Sequence, residues 1–189
     1  SAPSGKTKYI SAGNLGEALG IVNVLNYASI QAAHDALPSI GGTLLLAAGT
    51  HSIAVEQAFT KNLVLQGQGR GITTVELTAN ALNRDAFQTS QSITVRDMTI
   101  KTSTAPVTDL AMCGIRVDAA SAGGVHVLVE DCEILDFCFP VFADGRDSGG
   151  QDFDIERGIV RNCTLRISSA AGAAASCFLS GCRQAIVEN

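Results

Sequence analysis

The sequence predicts an all-β chain whose strands stack as the turns of a solenoid, with a short capping α-helix near the N-terminus. Two observations predict this fold: a short pattern that recurs along the second half of the chain, and a composition rich in small apolar residues. Of the 189 residues, 46% are hydrophobic and only 5% are aromatic. Aliphatic side chains must therefore fill the interior of what we expect to be one domain.

The recurring pattern starts with a valine, has Asp or Asn at its third position, and ends on an aliphatic residue. Successive copies start 34, 31 and 27 residues apart, a period typical of stacked supersecondary units. Within a copy, apolar and polar residues alternate and then shift phase by one position, which indicates two short strands joined by a bend. The copies lie at 95–100, 129–134 and 160–165, and a fourth starts at Val187.

The bend falls on Asp97, Asp131 and Asn162. Asp and Asn suit a sharp corner because their side chains bind nearby backbone amides and because they tolerate left-handed backbone conformations. We therefore expect the valines that open the copies to lie one above another, about 4.8 Å apart, in parallel sheets.

Earlier segments continue the same alternation, and strands are predicted at 42–53, 62–69 and 73–78. The glycine-rich segment at 67–71 is predicted to be a tight corner. It is not a phosphate loop, because it lacks the Gly-Lys-Ser/Thr ending and no helical pattern follows it.

A helical segment precedes these strands, with Ser29 as its N-cap and Pro38 at its end. Its expected role is to cover the first turn, whose core and backbone groups would otherwise be exposed. We divide the chain into an N-terminal extension or cap region at 1–28, the capping helix at 29–38, and stacked turns at 39–189 that we expect to be truncated at the C-terminal end. Residues 14–25 fit either an extension of the cap or a first strand.

The order of these segments resembles the opening of right-handed parallel β-helices of the pectate-lyase-like superfamily, in which bacteriophage tailspikes are prominent. The resemblance rests on the helix at 29–38 (SIQAAHDALP), the strand segment at 41–53 (GGTLLLAAGTHSI) and the corner at 63–69 (LVLQGQG). It implies a right-handed parallel β-helix over 29–189. It implies no single activity, because the superfamily includes lyases, hydrolases, epimerases and virion proteins without catalysis.

The catalytic motifs of that superfamily do not occur in this chain. Polygalacturonase-like members carry Asn-Thr-Asp, Asp-Asp, Gly-His-Gly and Arg-Ile-Lys, and none of these strings is present. Pectate lyases combine calcium-binding aspartates with a proton-abstracting Arg. Arg116 or Arg146 would have to fill that role without the surrounding pattern, so the resemblance carries over no active site.

An acidic loop supplies the candidate site residues. The candidate catalytic acids are Asp144, Asp147, Asp152 and Asp154, and the candidate binding residues are Arg146 and Asp144. Two acids about 5 to 9.5 Å apart suit general acid and nucleophile or base roles on a glycosidic bond. A plain solvated loop and a calcium site are the alternatives, although the loop lacks the Asp-x-Asp-x-Asp-Gly order of a calcium loop. We expect no resident metal and no cofactor.

The six cysteines are interpreted mainly as buried apolar residues. Cys132 and Cys163 share one position of the repeat, and a second interior ladder is expected from cysteines that can open a following strand, namely Cys113, Cys138 and Cys177. A disulfide between Cys177 and Cys182, or from Cys182 to another chain, is left open. No pair has the Cys-x-x-Cys spacing of a zinc site.

Charge and hydropathy restrict the partners. The net charge of -5 and the pI near 5.1 argue against nucleic acid, which would require clustered Lys and Arg. The longest apolar run, at 44–48, is too short to cross a membrane, and the N-terminal residues lack the apolar core of a signal peptide.

Two functions fit these observations. The first is a structural protein of a bacteriophage virion: a homotrimeric spike or fibre-like β-helix, assembled in the host cytoplasm with other virion proteins, that contacts a host surface polysaccharide. The second is an extracellular polysaccharide lyase or glycoside hydrolase. We favour the first, because sugar-cleaving motifs, a secretion signal and aromatic sugar platforms are not evident in the sequence.

Overall fold

The computed structural model describes residues 19–78, 85–103, 112–119, 123–146, 155–167 and 175–188. These residues form two parallel sheets of ten and five strands, with one α-helix and a 3₁₀ turn at Val24–Asn26, so the prediction of a mostly β chain with parallel sheets is confirmed. The elements are β1 (Ile21–Asn23), α1 (Ile30–Asp35), β2 (Gly42–Leu45), β3 (Gly49–Ile53), β4 (Gln57–Phe59), β5 (Leu63–Gln66), β6 (Thr73–Leu77), β7 (Phe87–Thr89), β8 (Ile93–Thr102), β9 (Cys113–Asp118), β10 (Val125–Phe137), β11 (Phe139–Asp144), β12 (Ile155–Arg161), β13 (Thr164–Ile167), β14 (Cys177–Ser180) and β15 (Cys182–Glu188).

The strands lie in three rows, and the chain visits the rows in the same order in each repeat. Row 1 contains β1, β2, β5, the first halves of β8 and β10, then β12 and β15. Row 2 contains β3, β6, the second halves of β8 and β10, and β13. Row 3 is the five-stranded sheet of β4, β7, β9, β11 and β14. Because β8 and β10 run through rows 1 and 2, those two rows form one sheet.

The core of row 1 is a column of inward-facing aliphatic residues in register. Val129 pairs with Val95 in the preceding strand and with Val160 in the following one, as predicted from the repeat. Stacking removes the middle of the column from water, and Val95 and Val129 are fully buried. The complete column is Val22, Leu44, Leu65, Val95, Val129, Val160 and Val187.

The bends between rows 1 and 2 have the predicted conformation. Asp97, Asp131 and Asn162 have φ values of 59°, 52° and 48°, all in the left-handed region. The amide of Asn162 also donates to the carboxylate of Asp131, which links two successive bends. Asp136 is a further left-handed residue with φ of 69°, and the repeat did not predict it because it lies after the last shared position.

The segment at 67–71 is the predicted corner. The Gly67 N–H donates to the Arg96 carbonyl at 3.0 Å, and the Gly69 N–H donates to the Asp97 carbonyl at 2.8 Å. A Cβ atom at Gly67 would lie 2.2 Å from the Asp97 carbonyl oxygen, so only glycine allows this close approach.

Helix α1 lies inside the predicted range and covers one edge of row 3. The Ser29 hydroxyl accepts from the Ala32 N–H at 3.0 Å and caps the helix. The Gln31 side chain then pairs with the outermost strand: its oxygen accepts from the Ala58 N–H at 2.9 Å, and its nitrogen donates to the Ala58 carbonyl at 3.0 Å. One amide side chain thus replaces the neighbouring strand that β4 lacks on this side.

The other end of α1 is closed by Lys61. Its ammonium group donates to the carbonyls of His34, Asp35 and Leu37 at 3.2, 2.9 and 2.7 Å. These carbonyls are at the C-terminal end of the helix, where a cation is favourable because the helix dipole is negative there.

Strand β1 precedes α1 in the chain but lies in row 1, where it pairs with β2. The helix is therefore inserted between the first two strands of the sheet, and the ambiguous segment at 14–25 supplies a strand. None of the helices in the described ranges is long and apolar enough to cross a membrane.

All six cysteines are free, and only one of the two expected ladders forms. Cys132 and Cys163 follow aligned bends and are neighbours. The expected ladder of Cys113, Cys138 and Cys177 is wrong, because Cys113 pairs with Phe139 whereas Cys177 pairs with Val141, two positions further along β11. The distance in sequence from the preceding strand to each cysteine does not determine where the row 3 strand begins.

Candidate functional site on the outer face of row 3

Row 3 carries polar and aromatic side chains on its outer face. Ile115 and Val117 are fully buried, so the intervening Arg116 faces outward, and the same alternation holds along β11. Register aligns two outward columns across successive strands. We call the following residues the outer strip: Gln88, Arg116, Asp118, Phe142, Asp144, Arg146 and Phe178.

Two of the predicted site residues meet in this strip. Arg146 donates to both carboxylate oxygens of Asp144, from Nε at 2.8 Å and from Nη2 at 2.6 Å. The Arg146 backbone N–H adds a third hydrogen bond at 3.1 Å. These hydrogen bonds lower the pKa of Asp144, which therefore stays ionised at neutral pH.

Arg116 forms a second pair in the strand before. Its Nε donates to Asp118 at 2.7 Å, and its Nη1 lies 3.7 Å from the carboxylate of Asp85. The Gln88 amide also reaches Asp118, at 3.5 Å. Asp118 and Asp144 are register partners, so the two Arg–Asp pairs lie in consecutive layers of the strip.

Asp85 lies behind the strip, where it is almost fully buried. Burial raises its pKa to about 6, although its hydrogen bond from the Cys113 N–H at 2.6 Å and the charge of Arg116 oppose this rise. Asp85 therefore positions Arg116 from below and does not face solvent.

The aromatic residues of the strip pack on one another. The rings of Phe142 and Phe178 stack with centroids 4.7 Å apart, and Phe139 meets Phe142 edge-on at 5.6 Å. The guanidinium groups of Arg116 and Arg146 lie 5.4 and 5.9 Å from the Phe142 and Phe178 centroids. Because these contacts occupy the ring faces, the strip presents ring edges and polar groups, not an open stacking surface.

A cavity of about 190 Å³ adjoins one end of the strip. Gln88, Thr89, Ser90 and Asp118 supply its polar groups, and Phe59 supplies an apolar wall. A ligand chain following the strip would find a concave subsite here.

The remaining predictions have mixed outcomes. Asp147, Asp152 and Asp154 lie outside the described residues. Glu156, which follows the predicted acidic loop in the chain, is on row 1 and pairs with Arg183 at 3.0 Å, away from the strip. Within the described ranges, no group of three or more His, Cys, Asp or Glu side chains is arranged to hold a metal ion.

The sequence interpretation missed five site residues, namely Asp85, Gln88, Asp118, Phe142 and Phe178. A second repeat could have revealed Asp118, Phe142 and Phe178: an apolar residue, an outward residue, another apolar residue and then Asp or Ser. It occurs at 115–118, 141–144 and 177–180. Asp85 carries no such pattern, because its role follows from burial behind Arg116.

Comparison with known proteins finds no matching family model, no matching curated protein and no matching solved structure.

Proposed function

We propose that the three rows are the faces of a right-handed parallel β-helix, and that this chain forms the shaft of a homotrimeric bacteriophage spike or fibre-like virion protein. The repeated register of row 1 supports the shaft, because backbone hydrogen bonds continue from strand to strand over seven strands. The resemblance of 29–69 to the opening of phage tailspike β-helices supports the virion assignment.

The outer strip is the surface we assign to contact with a host polysaccharide. The observation that carries this assignment is the repetition of an Arg–Asp pair in consecutive layers, at Arg116 with Asp118 and at Arg146 with Asp144. Such pairs offer donors and acceptors side by side, which suits sugar hydroxyls. Because each arginine is already neutralised, a neutral polysaccharide fits the strip better than an acidic one.

Polysaccharide cleavage is the alternative function, and one observation favours it. Asp118 and Asp144 are lateral partners in parallel strands, hence about 4.8 Å apart at the backbone, close to the carboxylate separation of about 5 to 5.5 Å in retaining glycosidases. Against it, a general acid needs a raised pKa, whereas Arg146 lowers the pKa of Asp144. Asp85 has a raised pKa but is buried behind Arg116. We therefore favour binding.

Titration calorimetry with neutral and acidic capsular polysaccharides tests the proposal. We expect a neutral polysaccharide to bind, and the double variant Asp144→Asn, Arg146→Gln to lose at least tenfold in affinity. The matched control Glu156→Gln, Arg183→Gln removes an equivalent ion pair from row 1 and should bind normally. Equal binding by both double variants would contradict the role of the strip.

Two further readouts separate the components of the proposal. Native mass spectrometry should report a trimer, and a monomer would contradict the spike assembly. Release of reducing ends from the bound polysaccharide should be absent. If release occurs and Asp144→Asn abolishes it, the enzymatic alternative is correct.

A further inference from the structure

Cys132 and Cys163 are lateral neighbours in adjacent strands. Backbone pairing is in register before the bends and resumes one residue after the cysteines, where Glu133 pairs with Thr164. Parallel neighbours have Cα atoms about 4.8 Å apart, which lies within the range of about 4.4 to 6.8 Å found in disulfides. The Cys163 sulfur also lies 3.6 Å from the carbonyl oxygen of Val129, on the strand that carries Cys132. The Cys132 sulfur lies at the same distance from the Val95 carbonyl oxygen, so the two side chains are parallel, and a disulfide requires rotation of one of them about χ1.

The two thiols differ in access and in acidity. Cys132 is fully buried, whereas Cys163 is half-buried. The interaction between the two neighbouring thiols raises the pKa of Cys132, which burial also raises, and lowers the pKa of Cys163. Cys163 is accordingly the accessible thiol that forms a thiolate more readily, and Cys132 is placed to react with it from inside.

We propose that Cys132 and Cys163 are a thiol oxidation site, at which a small disulfide such as oxidised glutathione generates an intrachain disulfide. The Cys163 thiolate attacks one glutathione sulfur, forms a mixed disulfide and releases one glutathione thiolate. Cys132 then attacks the Cys163 sulfur and breaks the mixed disulfide, and its proton passes to the second glutathione sulfur, which leaves as a thiol. Two protein thiols are oxidised while one glutathione disulfide is reduced to two thiols.

The geometry favours this pair over Cys177 and Cys182, the pair that the sequence left open. Cys177 starts β14 in row 3, and Cys182 starts β15 in row 1, so the two belong to different sheets and are not lateral partners. Burial also raises the pKa of Cys177 to about 11, which suppresses its thiolate. The bond between Cys132 and Cys163 would tie the last described layer to the layer beneath it.

Peptide mapping of the native full chain after treatment with oxidised glutathione tests the inference. Remaining thiols are blocked with iodoacetamide, the protein is digested, and cross-linked peptides are sequenced by tandem mass spectrometry, which distinguishes Cys132 from Cys138. We expect a Cys132–Cys163 cross-link. Stable glutathione adducts without that cross-link, or a Cys177–Cys182 cross-link in its place, would overturn the proposal.

Two variants add a test of the order of events. Cys132→Ser should stop the reaction at a glutathione adduct on Cys163, because the second thiol is missing. Cys138→Ser is the matched control, since Cys138 is also buried but has no cysteine partner in register, and it should still form the cross-link. Loss of the cross-link in both variants, with both folded by circular dichroism, would contradict the assignment.

Discussion

The two ends of the described stack of strands differ in how their interior residues are covered. At the N-terminal end, α1 packs on β4 and β2, and its own Ile30 and Ala33 as well as Leu44 of β2 are at most 2% exposed. In the last layer, formed by β13, β14 and β15, Val187 is 64% exposed although it continues the column of row 1. The inward-facing residues at this end are only half-buried: Cys163, Leu165, Cys177, Leu179 and Cys182.

The difference shows that an inward-facing side chain in this fold is fully buried where strands, or a strand and the capping helix, lie on both sides of it. The hydrophobic contribution therefore depends on position in the stack more than on residue type. Cys163 keeps access to solvent in this half-buried layer. The proposed thiol oxidation site therefore lies at the end of the stack where side-chain burial contributes least to stability.

The largest effect on stability is expected from a matched pair of substitutions that shorten a leucine side chain to alanine. Leu44→Ala removes a fully buried side chain, so it should cost about 3 kcal/mol of unfolding free energy. Leu165→Ala removes the same atoms from the last layer and should cost about 1 kcal/mol. Urea denaturation of both variants measures the difference, and equal losses would contradict the dependence on layer.

The second test concerns two carboxylates of row 3. Burial raises the pKa of Asp85 to about 6, above its unfolded value, so this group stabilises the fold at low pH and its contribution is lost as the pH rises toward 6. The loss should amount to about 2 to 3 kcal/mol between pH 4 and pH 7. Asp85→Asn keeps the acceptor for the Cys113 N–H and should remove this slope, which denaturation at the two pH values measures.

Asp144→Asn is the contrasting variant, because the pKa of Asp144 is lowered by Arg146. Its contribution is present above the unfolded pKa and is lost as the pH falls, so the variant should lose stability at pH 7 and not at low pH. The account of row 3 fails if Asp85→Asn and Asp144→Asn change the pH dependence in the same direction.

The third test examines the cap. Gln31→Ala leaves the N–H and carbonyl of Ala58 without their partner, which should cost about 1 to 2 kcal/mol and speed amide exchange at Ala58. Gln88→Ala is the matched control, since Gln88 is the register partner of Ala58 in the next strand. Hydrogen exchange followed by NMR measures both variants. An unchanged exchange rate at Ala58 in Gln31→Ala would show that the helix does not close the edge.

The smallest effect is expected on the outer face of row 1, where charges alternate between strands. Arg161 donates to Glu130 at 2.5 Å, and Arg96 lies 3.9 Å from the same carboxylate. Because Arg161 is exposed and its attraction to Glu130 is screened by water, Arg161→Gln should lower stability less than any of the variants above, and less still in high salt. Denaturation at low and high salt measures this. A larger, salt-independent loss would point to packing by Arg161 instead.

The sequence predicted the parts of the fold that carry a recurring or position-specific residue pattern. Asp97, Asp131 and Asn162 could be identified because a left-handed corner restricts residue type, and Ser29 because a helix N-cap does the same. Row 3 could not be placed, because the segments that lead into its strands vary in length. Asp144 and Arg146 were predicted as site residues, but their neighbours in the outer strip were missed for that reason, since Asp118 meets Asp144 only through register.

The most direct test of the stacked register is a series of inter-strand distances on the outer face of row 1. Spin labels attached through a ketone amino acid leave the cysteines unmodified, and Gln66 is labelled together with one residue from a later strand. The partners are Glu130, Arg161 and Glu188, which lie two, three and four strands away from Gln66. Electron paramagnetic resonance should give distances that increase by about 4.8 Å per strand. Distances that do not increase in this order would contradict the stacked register.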